Sequence, residues 1–394
     1  MKTILFVGDG MADEPLKELG NATPLQYAKT PNLDRLAKKS FVGSVQTVFK
    51  GLPCGSEIAN LTLLGYNPYN LPPFGRGGLE AASMNIDIPA TGAAYRCNLV
   101  TVTDSKLQDY SGGPVHTETS HRLIKALNEE FGNEIIRFYP GKDYRHILLI
   151  NPGNASTKTF PPHDYIGKPI DEILPVGRDQ DILRNLYNKS HEFLEDYIQK
   201  YNLSRCKANA IWPWGASNNV RLKSISERFE VEGSVIAGVD LIRGIGRLAG
   251  LHIVDVPGAT GRNDTDYTAK INYGLRALKE TDFIFVHVES PDEAGHHGNI
   301  EEKVSTIEDI DSLMIRPIVD NLSGGEFRLL FMPDHATPIN IRTHVYNPVP
   351  YLIYPCPLNL TPSGNFNEET ARKSGVYIKE GWTLIDELFM KTSH

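Results

Sequence analysis

The segment Ser290–Gly298, SPDEAGHHG, holds Asp292 and His296 four residues apart. That spacing puts both side chains on one face if a helix begins there. A carboxylate paired with an imidazole suits Mn²⁺ or Zn²⁺ better than Ca²⁺ or Na⁺. Downstream, Asp334 and His335 are adjacent in MPDHATPIN, where Pro333 and Pro338 favour a loop over a helix. His344 follows in IRTHVYNPVPYLIY. A lone histidine is more often a surface or satisfied core residue. Five acid and imidazole side chains at three predicted strand ends instead point to a metal centre. Glu289 and His297 flank the first pair, and spacing alone leaves them open as alternative ligands.

Two further positions carry chemistry only in context. Asp9 ends an apolar run and lies between Gly8 and Gly10, which let the backbone approach a ligand closely; a plain turn aspartate looks the same. Ser56, in GLPCGSEIANLTLLGY, stands at the start of a helical pattern through Ile58, Leu61 and Leu64. An ordinary N-cap serine occupies such a position, but so does a group that uses the helix N-terminus to receive a phosphate. No G-x-S-x-G elbow surrounds Ser56, so metal coordination rather than a histidine base is the expected route to activating its hydroxyl. Candidate substrate contacts are His116 in the glycine-rich loop Asp109–His121, and His163 and Asp164 in PPHDYIGK. Arg96 and Arg262 are the cationic groups considered with them.

Elements must bring these residues together. Predicted strands are Thr3–Val7, Ala94–Val102, His146–Ile150, Ala208–Ile211, Ser234–Ala237, His252–Val256, Asp282–Val288, Arg328–Met332 and Val349–Tyr354. Helical patterns over His121–Phe131, Ile182–Tyr201, Leu241–Ala249, Asp266–Lys279 and Val304–Leu322 alternate with them. Strands separated by helices of this size imply βαβ units with right-handed crossovers. The predicted class is α/β, a parallel-rich sheet with helices on both faces, and ligands at the carboxyl ends of its strands. At 394 residues the chain exceeds what one core usually serves. The Pro/Gly/Asn-rich Asn67–Gly78 and the stretch Trp212–Asn219 are candidate hinges. They would delimit a smaller inserted α/β domain, 76–215, within a discontinuous domain of 1–75 and 216–394.

Composition bounds the partners. There are 48 acidic and 40 basic residues, a net charge of −8. This argues against general nucleic-acid binding, which needs a basic surface. A local cation cluster can still attract a small anion. Four cysteines, Cys54, Cys97, Cys206 and Cys356, are dispersed without a C-x-x-C pair, the pattern of a reducing compartment. The N-terminal apolar run is too short for a signal peptide, and no run of about 18 apolar residues appears. A cytoplasmic protein, a monomer or small homo-oligomer with no membrane partner, is expected.

Taken together, the segments resemble the alkaline-phosphatase superfamily, and within it the cofactor-independent phosphoglycerate mutases of the short, archaeal type. The resemblance covers nearly the whole chain. It rests on GDGMAD at 8–13, TPNLDRLA at 30–37, GSEIANLTLLGYNP at 55–68, PPHDYIGKP at 161–169, VPGATG at 256–261, DTDY at 264–267, SPDEAGHHG at 290–298 and PDHATP at 333–338. It implies that Asp9, Ser56, Asp334 and His335 hold one divalent metal ion and Asp292, His296 and His344 a second. Mn²⁺ is the foremost candidate, with Mg²⁺, Zn²⁺ and Co²⁺ as others, and no 2,3-bisphosphoglycerate is needed. It also implies that Ser56 carries the phosphate, that His116, His163, Asp164 and Arg262 meet a small phosphorylated substrate, and that the inserted domain is a transferase or lid domain.

Two features depart from the family pattern: Glu57 stands where Asp is expected after the nucleophile, and the loop around His116, GGPVHTE, is longer than usual. Both bear on the acceptor. A proposed homoserine kinase of the same family shares the site residues, a metal-dependent phosphatase is a third reading, and a non-catalytic binding protein is the contrasting class. Product from 3-phosphoglycerate as against ATP with homoserine separates the first two.

Overall fold

The computed structural model describes residues 1–71, 75–113, 115–203, 206–322, 326–357 and 359–389. Numbered along the chain, the strands are β1 (Lys2–Gly8), β2 (Phe41–Val45), β3 (Ala93–Thr103), β4 (Lys106–Asp109), β5 (Ile136–Tyr139), β6 (Arg145–Ile150), β7 (Ala210–Asn218), β8 (Gly233–Ile236), β9 (His252–Ile253), β10 (Phe283–Val288), β11 (Phe327–Met332), β12 (Val349–Tyr354) and β13 (Tyr377–Ile378). Two compact units result, Met1–Leu71 with Leu222–His394, and Pro72–Arg221.

The discontinuous unit is built on an eight-stranded sheet ordered β13-β2-β12-β11-β1-β10-β8-β9. At its centre β1 pairs in parallel with both β10 and β11. Every residue of β10 and β11 is buried, as central strands covered by helices on both faces are; their runs are apolar but for His287 and Arg328. Ile4, Phe6, Ile284, Val286, Leu329 and Phe331 face one core together with Ile271 and Ile307 from the helices Tyr267–Glu280 and Ile300–Asp309. The register aligns Gly8 with Val288 and Val7 with Met332, so the residues that follow all three strands emerge at one edge.

Two antiparallel strands deliver the rest of the site. β12 runs against β11, pairing Phe331 with Leu352, so β12 begins at the edge where β11 ends and His344 arrives there just before it. β2 runs against β12, with Val45 opposite Val349, and therefore ends at that same edge before the chain continues to Ser56. The α/β class is as expected, and the antiparallel side of the sheet is what places His344 and Ser56.

In the Pro72–Arg221 unit β3 pairs antiparallel with β4, β6 and β7, and β6 pairs antiparallel with β5. Among the described residues every strand pairing in this unit is antiparallel, and successive side chains of β3 face opposite sides of its sheet. Tyr95, Cys97 and Leu99 meet the helices Thr117–Phe131 and Gln180–Lys200, while Ala94 packs with Ile147 and Ala81 on the other side. The stretch Trp212–Asn219, expected as a hinge, lies largely inside β7, which buries Trp212 and Trp214. The other expected hinge, Asn67–Gly78, lies partly outside the described residues, at Pro72–Phe74. The single helix expected over Val304–Leu322 is interrupted by a π segment, Ile310–Ile315, between Ile300–Asp309 and Arg316–Leu322. Among the described residues, no helix is long and apolar enough to cross a membrane.

Candidate metal centre

Asp9 follows β1 and Gly10 turns the chain away with a φ of 59°. A β-carbon at Gly10 would lie 2.5 Å from Asp292 Oδ1, so the turn needs glycine for both its conformation and its space. Asp292 and His296 lie on the helix Ser290–His297, which begins two residues beyond β10. Asp334 and His335 sit in the loop after β11, fully buried. Ser56 is the first residue of the helix Ser56–Leu63, with Gly55 as its N-cap.

These side chains converge. Two clusters of ligand atoms form, Asp292 with His335 and His344, and Asp9 with Asp334 and His335. His335 thus reaches both, whereas the family resemblance placed it with Asp9, Ser56 and Asp334 alone. Its Nε2 is 3.1 Å from Ser56 Oγ and 3.4 Å from Asp9 Oδ1. His296 Nε2 is 3.2 Å from Asp292 Oδ2 and 3.1 Å from His344 Nε2. All seven residues named from the sequence as ligands therefore meet at one edge of the sheet.

The tautomers follow from the outer partners. His344 Nδ1 lies 3.0 Å from the Cys54 carbonyl oxygen, and His296 Nδ1 lies 3.0 Å from the Arg342 carbonyl oxygen. A carbonyl only accepts, so each Nδ1 carries hydrogen, and in the neutral ring each Nε2 presents a lone pair inward, the usual arrangement around a metal. Two lone pairs facing each other at the His296–His344 distance call for a cation between them. Without one, the bond to Asp292 raises His296 to about 9.

The carboxylates make the same demand. Burial pushes Asp9 well above the usual range, and the charges of Asp334 and Asp292 push it further. Burial also works against charge on Asp334 and Asp292, but His335 and His287 hold Asp334 low, and His296 and His344 hold Asp292 low. Asp9 Oδ1 is buried with no hydrogen-bond partner. A buried anionic group left so exposed to like charge is costly unless a cation compensates it. This donor set of carboxylates, imidazoles and one hydroxyl fits divalent ions.

Several supporting residues were not singled out from the sequence. Asn60, four residues after Ser56, donates to Asp334 Oδ2 at 2.8 Å; its spacing in GSEIAN was a usable signal. His287, fully buried on β10, lies 3.6 Å from Asp334 Oδ2 and 3.8 Å from Asp9 Oδ2. Glu289, weighed as a ligand, turns away: it pairs with buried Lys270 at 2.6 Å and accepts from the Gly238 amide. Its carboxyl is held down to about 2 despite burial, by Lys270 and His287. His297 is exposed, 3.9 Å from Glu293 and from Glu302.

The expected substrate contacts divide between the units. Arg262 is exposed in the discontinuous unit. In the other, His116 is the exposed N-cap of Thr117–Phe131. His163 and Asp164 lie 3.7 Å apart, and the His163 ring meets Trp214 edge-on. Arg96, a candidate substrate contact, is buried: it donates to Glu80 at 2.6 Å and to Asn98 at 3.1 Å and lies over Trp214.

Fold and site together define an α/β protein in which an acid–imidazole cluster of metal-ligand composition shares one sheet edge with a helix-start serine. A family model described as 2,3-bisphosphoglycerate-independent phosphoglycerate mutase matches residues 37–198. A mutase of that name from Methanosarcina barkeri is 41% identical over 98% of each chain, and a probable one from Geobacter sulfurreducens is 40% identical over 98% of this chain and 99% of that one. A Pyrococcus horikoshii protein superposes with a TM-score of 0.83 at 26% identity, covering 100% of this chain and 99% of that one. The cofactor-independent phosphoglycerate mutase of Thermoplasma acidophilum gives 0.69 at 25% identity, covering 98% and 99%. The chain belongs to the 2,3-bisphosphoglycerate-independent phosphoglycerate mutase family.

Proposed function

We propose that this chain interconverts 3-phosphoglycerate and 2-phosphoglycerate through a phosphoserine at Ser56, using two divalent metal ions, Mn²⁺ foremost. The carrying observation is the position of the Ser56 hydroxyl, at a helix N-terminus and in contact with an acid–imidazole cluster of metal-ligand composition. The names of the full-length relatives support the reaction. Asp9, Ser56, Asp334 and His335 would hold one ion, and Asp292, His296 and His344 the other. Bound ions supply charge stabilisation at the attacking and leaving oxygens of the transfer.

The residues of the chain account for the remainder. Ser56 Oγ forms the bond to phosphorus as the glycerate oxygen leaves, and the other hydroxyl of the glycerate then takes the phosphoryl group back. The amides at the start of Ser56–Leu63 face the phosphate with the positive end of the helix dipole. Asn60 and the Gly10 amide, donating to Asp334 at 2.8 and 3.1 Å, hold that carboxylate in place. Between the two transfers water must be kept from the phosphoserine; in this reading the Pro72–Arg221 unit has the transferase and enclosing role, with His116, His163 and Asp164 as its substrate contacts.

The test is a paired assay. Purified protein with Mn²⁺ and 3-phosphoglycerate should yield 2-phosphoglycerate, and Ser56→Ala should abolish it. Product from ATP and homoserine alone, or steady release of inorganic phosphate in place of 2-phosphoglycerate, overturns the mutase reading.

A further inference from the structure

Thr337 follows His335 by two residues and is fully buried. Its Oγ1 lies 2.5 Å from Asp292 Oδ1 and 3.2 Å from His335 Nδ1. A hydroxyl has one proton to give and two lone pairs to offer. An ionised carboxylate only accepts, so the proton goes to Asp292. His335 then meets a lone pair of Oγ1, and its Nδ1 must carry hydrogen. In neutral imidazole that leaves the lone pair on Nε2, the nitrogen facing Ser56 Oγ and Asp9 Oδ1. One hydroxyl therefore sets the orientation of Asp292 and decides which nitrogen of His335 donates electrons.

Thr337 is itself held on every side. Its amide donates to Ala12 O at 3.2 Å, and its carbonyl accepts from buried Lys303 Nζ at 2.9 Å. A β-carbon at Gly295 would fall 2.6 Å from Thr337 O, and one at Gly10 would fall 2.6 Å from Oγ1. Both backbone groups of Thr337 are thus engaged, and glycines pack closely against its carbonyl and its hydroxyl.

We propose that Thr337 is a positioning residue that makes the two metal positions interdependent, its hydroxyl joining a ligand of one to a ligand of the other. The inference rests on the two-metal reading above and deepens it: filling one position fixes Asp292 or His335, and through Oγ1 orders the other before its ion arrives.

Calorimetric titration of metal-free protein with Mn²⁺, without substrate, tests this. Wild type should take up two ions in one cooperative transition. Thr337→Val, which keeps the shape and removes the hydroxyl, should split uptake into two steps, the weaker lowered about 10- to 100-fold. Thr337→Ser, which keeps the hydroxyl, should titrate close to wild type. Gly295→Ala, which crowds Thr337 without altering a polar group, should also separate the two steps and serves if Thr337→Val does not fold. A Thr337→Val or Gly295→Ala isotherm identical to wild type overturns the role of Thr337, as does a Thr337→Ser loss equal to that of Val. Wild type that binds fewer than two ions overturns the two-metal reading itself, and this proposal with it.

Discussion

Ser56 Oγ lies 3.1 Å from His335 Nε2, although the residues are 279 positions apart. With hydrogen on His335 Nδ1, Nε2 accepts from the serine, and both side chains aim at the point where a metal would meet the nucleophile. Ser56→Ala should therefore lower mutase turnover by at least about 10³-fold, the scale of losing a covalent nucleophile. Acid-quenched wild type should carry one phosphoryl group on the peptide containing Ser56. Phosphate found on another residue would remove Ser56 from the mechanism.

Lys303 and Asp13 form a fully buried ion pair at 2.7 Å. The same ammonium reaches the carbonyl of Thr337, and Asp13 also accepts from the Ile339 amide. The pair thus ties the loop after β1 to the loop after β11. Lys303→Met leaves the Asp13 carboxylate buried and unpaired, a loss of about 3–5 kcal/mol for a broken buried pair. Lys303→Met with Asp13→Asn should recover part of it, because the stranded charge is gone. Urea titration of the two variants checks this, and a double variant no more stable than the single one would refute the pairing.

His146 tests the other unit independently. Its Nδ1 accepts from the Gly141 amide at 3.0 Å, and burial pushes its pKa down to about 3. Between roughly pH 6.5 and 3 the unfolded chain binds a proton that the folded unit refuses, so stability rises with pH across that window. Lowering the pH from 7 to 5 should cost about 2 kcal/mol through this residue. Amide exchange of β3 and β6 should show it, and His146→Gln should remove most of the difference. An equal pH response in the variant would assign the effect elsewhere.

The candidate ligands that converge were legible as a set because several sit where a run of one periodicity stops: Asp9 after β1, Asp292 after β10, Asp334 after β11. Their grouping was less so. Nothing local shows that β12 runs antiparallel, which is what returns His344 to the edge. His287 was hidden because a histidine inside FIFVHV reads as one more strand residue. Lys270 and Lys303 fall on the buried stripes of their helices, a signal that lysine's usual exposure masks. Trp212–Asn219 read as a hinge because Pro, Gly and Asn suggest turns, yet among the described strands β7 pairs only with β3, an edge position that tolerates Pro213. Arg96 stood as a candidate substrate contact because its partner Glu80 lies 16 residues away on another element, out of reach of any local pattern.

His296 supplies a pH dependence for metal loading. In the metal-free protein its bond to Asp292 raises it to about 9, so near pH 7 the ring is protonated. Proton linkage runs in two directions. The metal-free fold gains from this raised pKa below roughly pH 6.5 and loses that gain as pH rises through 9. Metal needs the neutral ring, so uptake must expel the proton, and affinity climbs with pH until about 9. Calorimetry at pH 7 in buffers of different ionisation enthalpy should show protons released on Mn²⁺ binding. Affinity should weaken by about tenfold per unit of pH lowered, the slope for one linked proton. His296→Gln should bind more weakly and lose that proton; release unchanged in the variant would show that another group carries it.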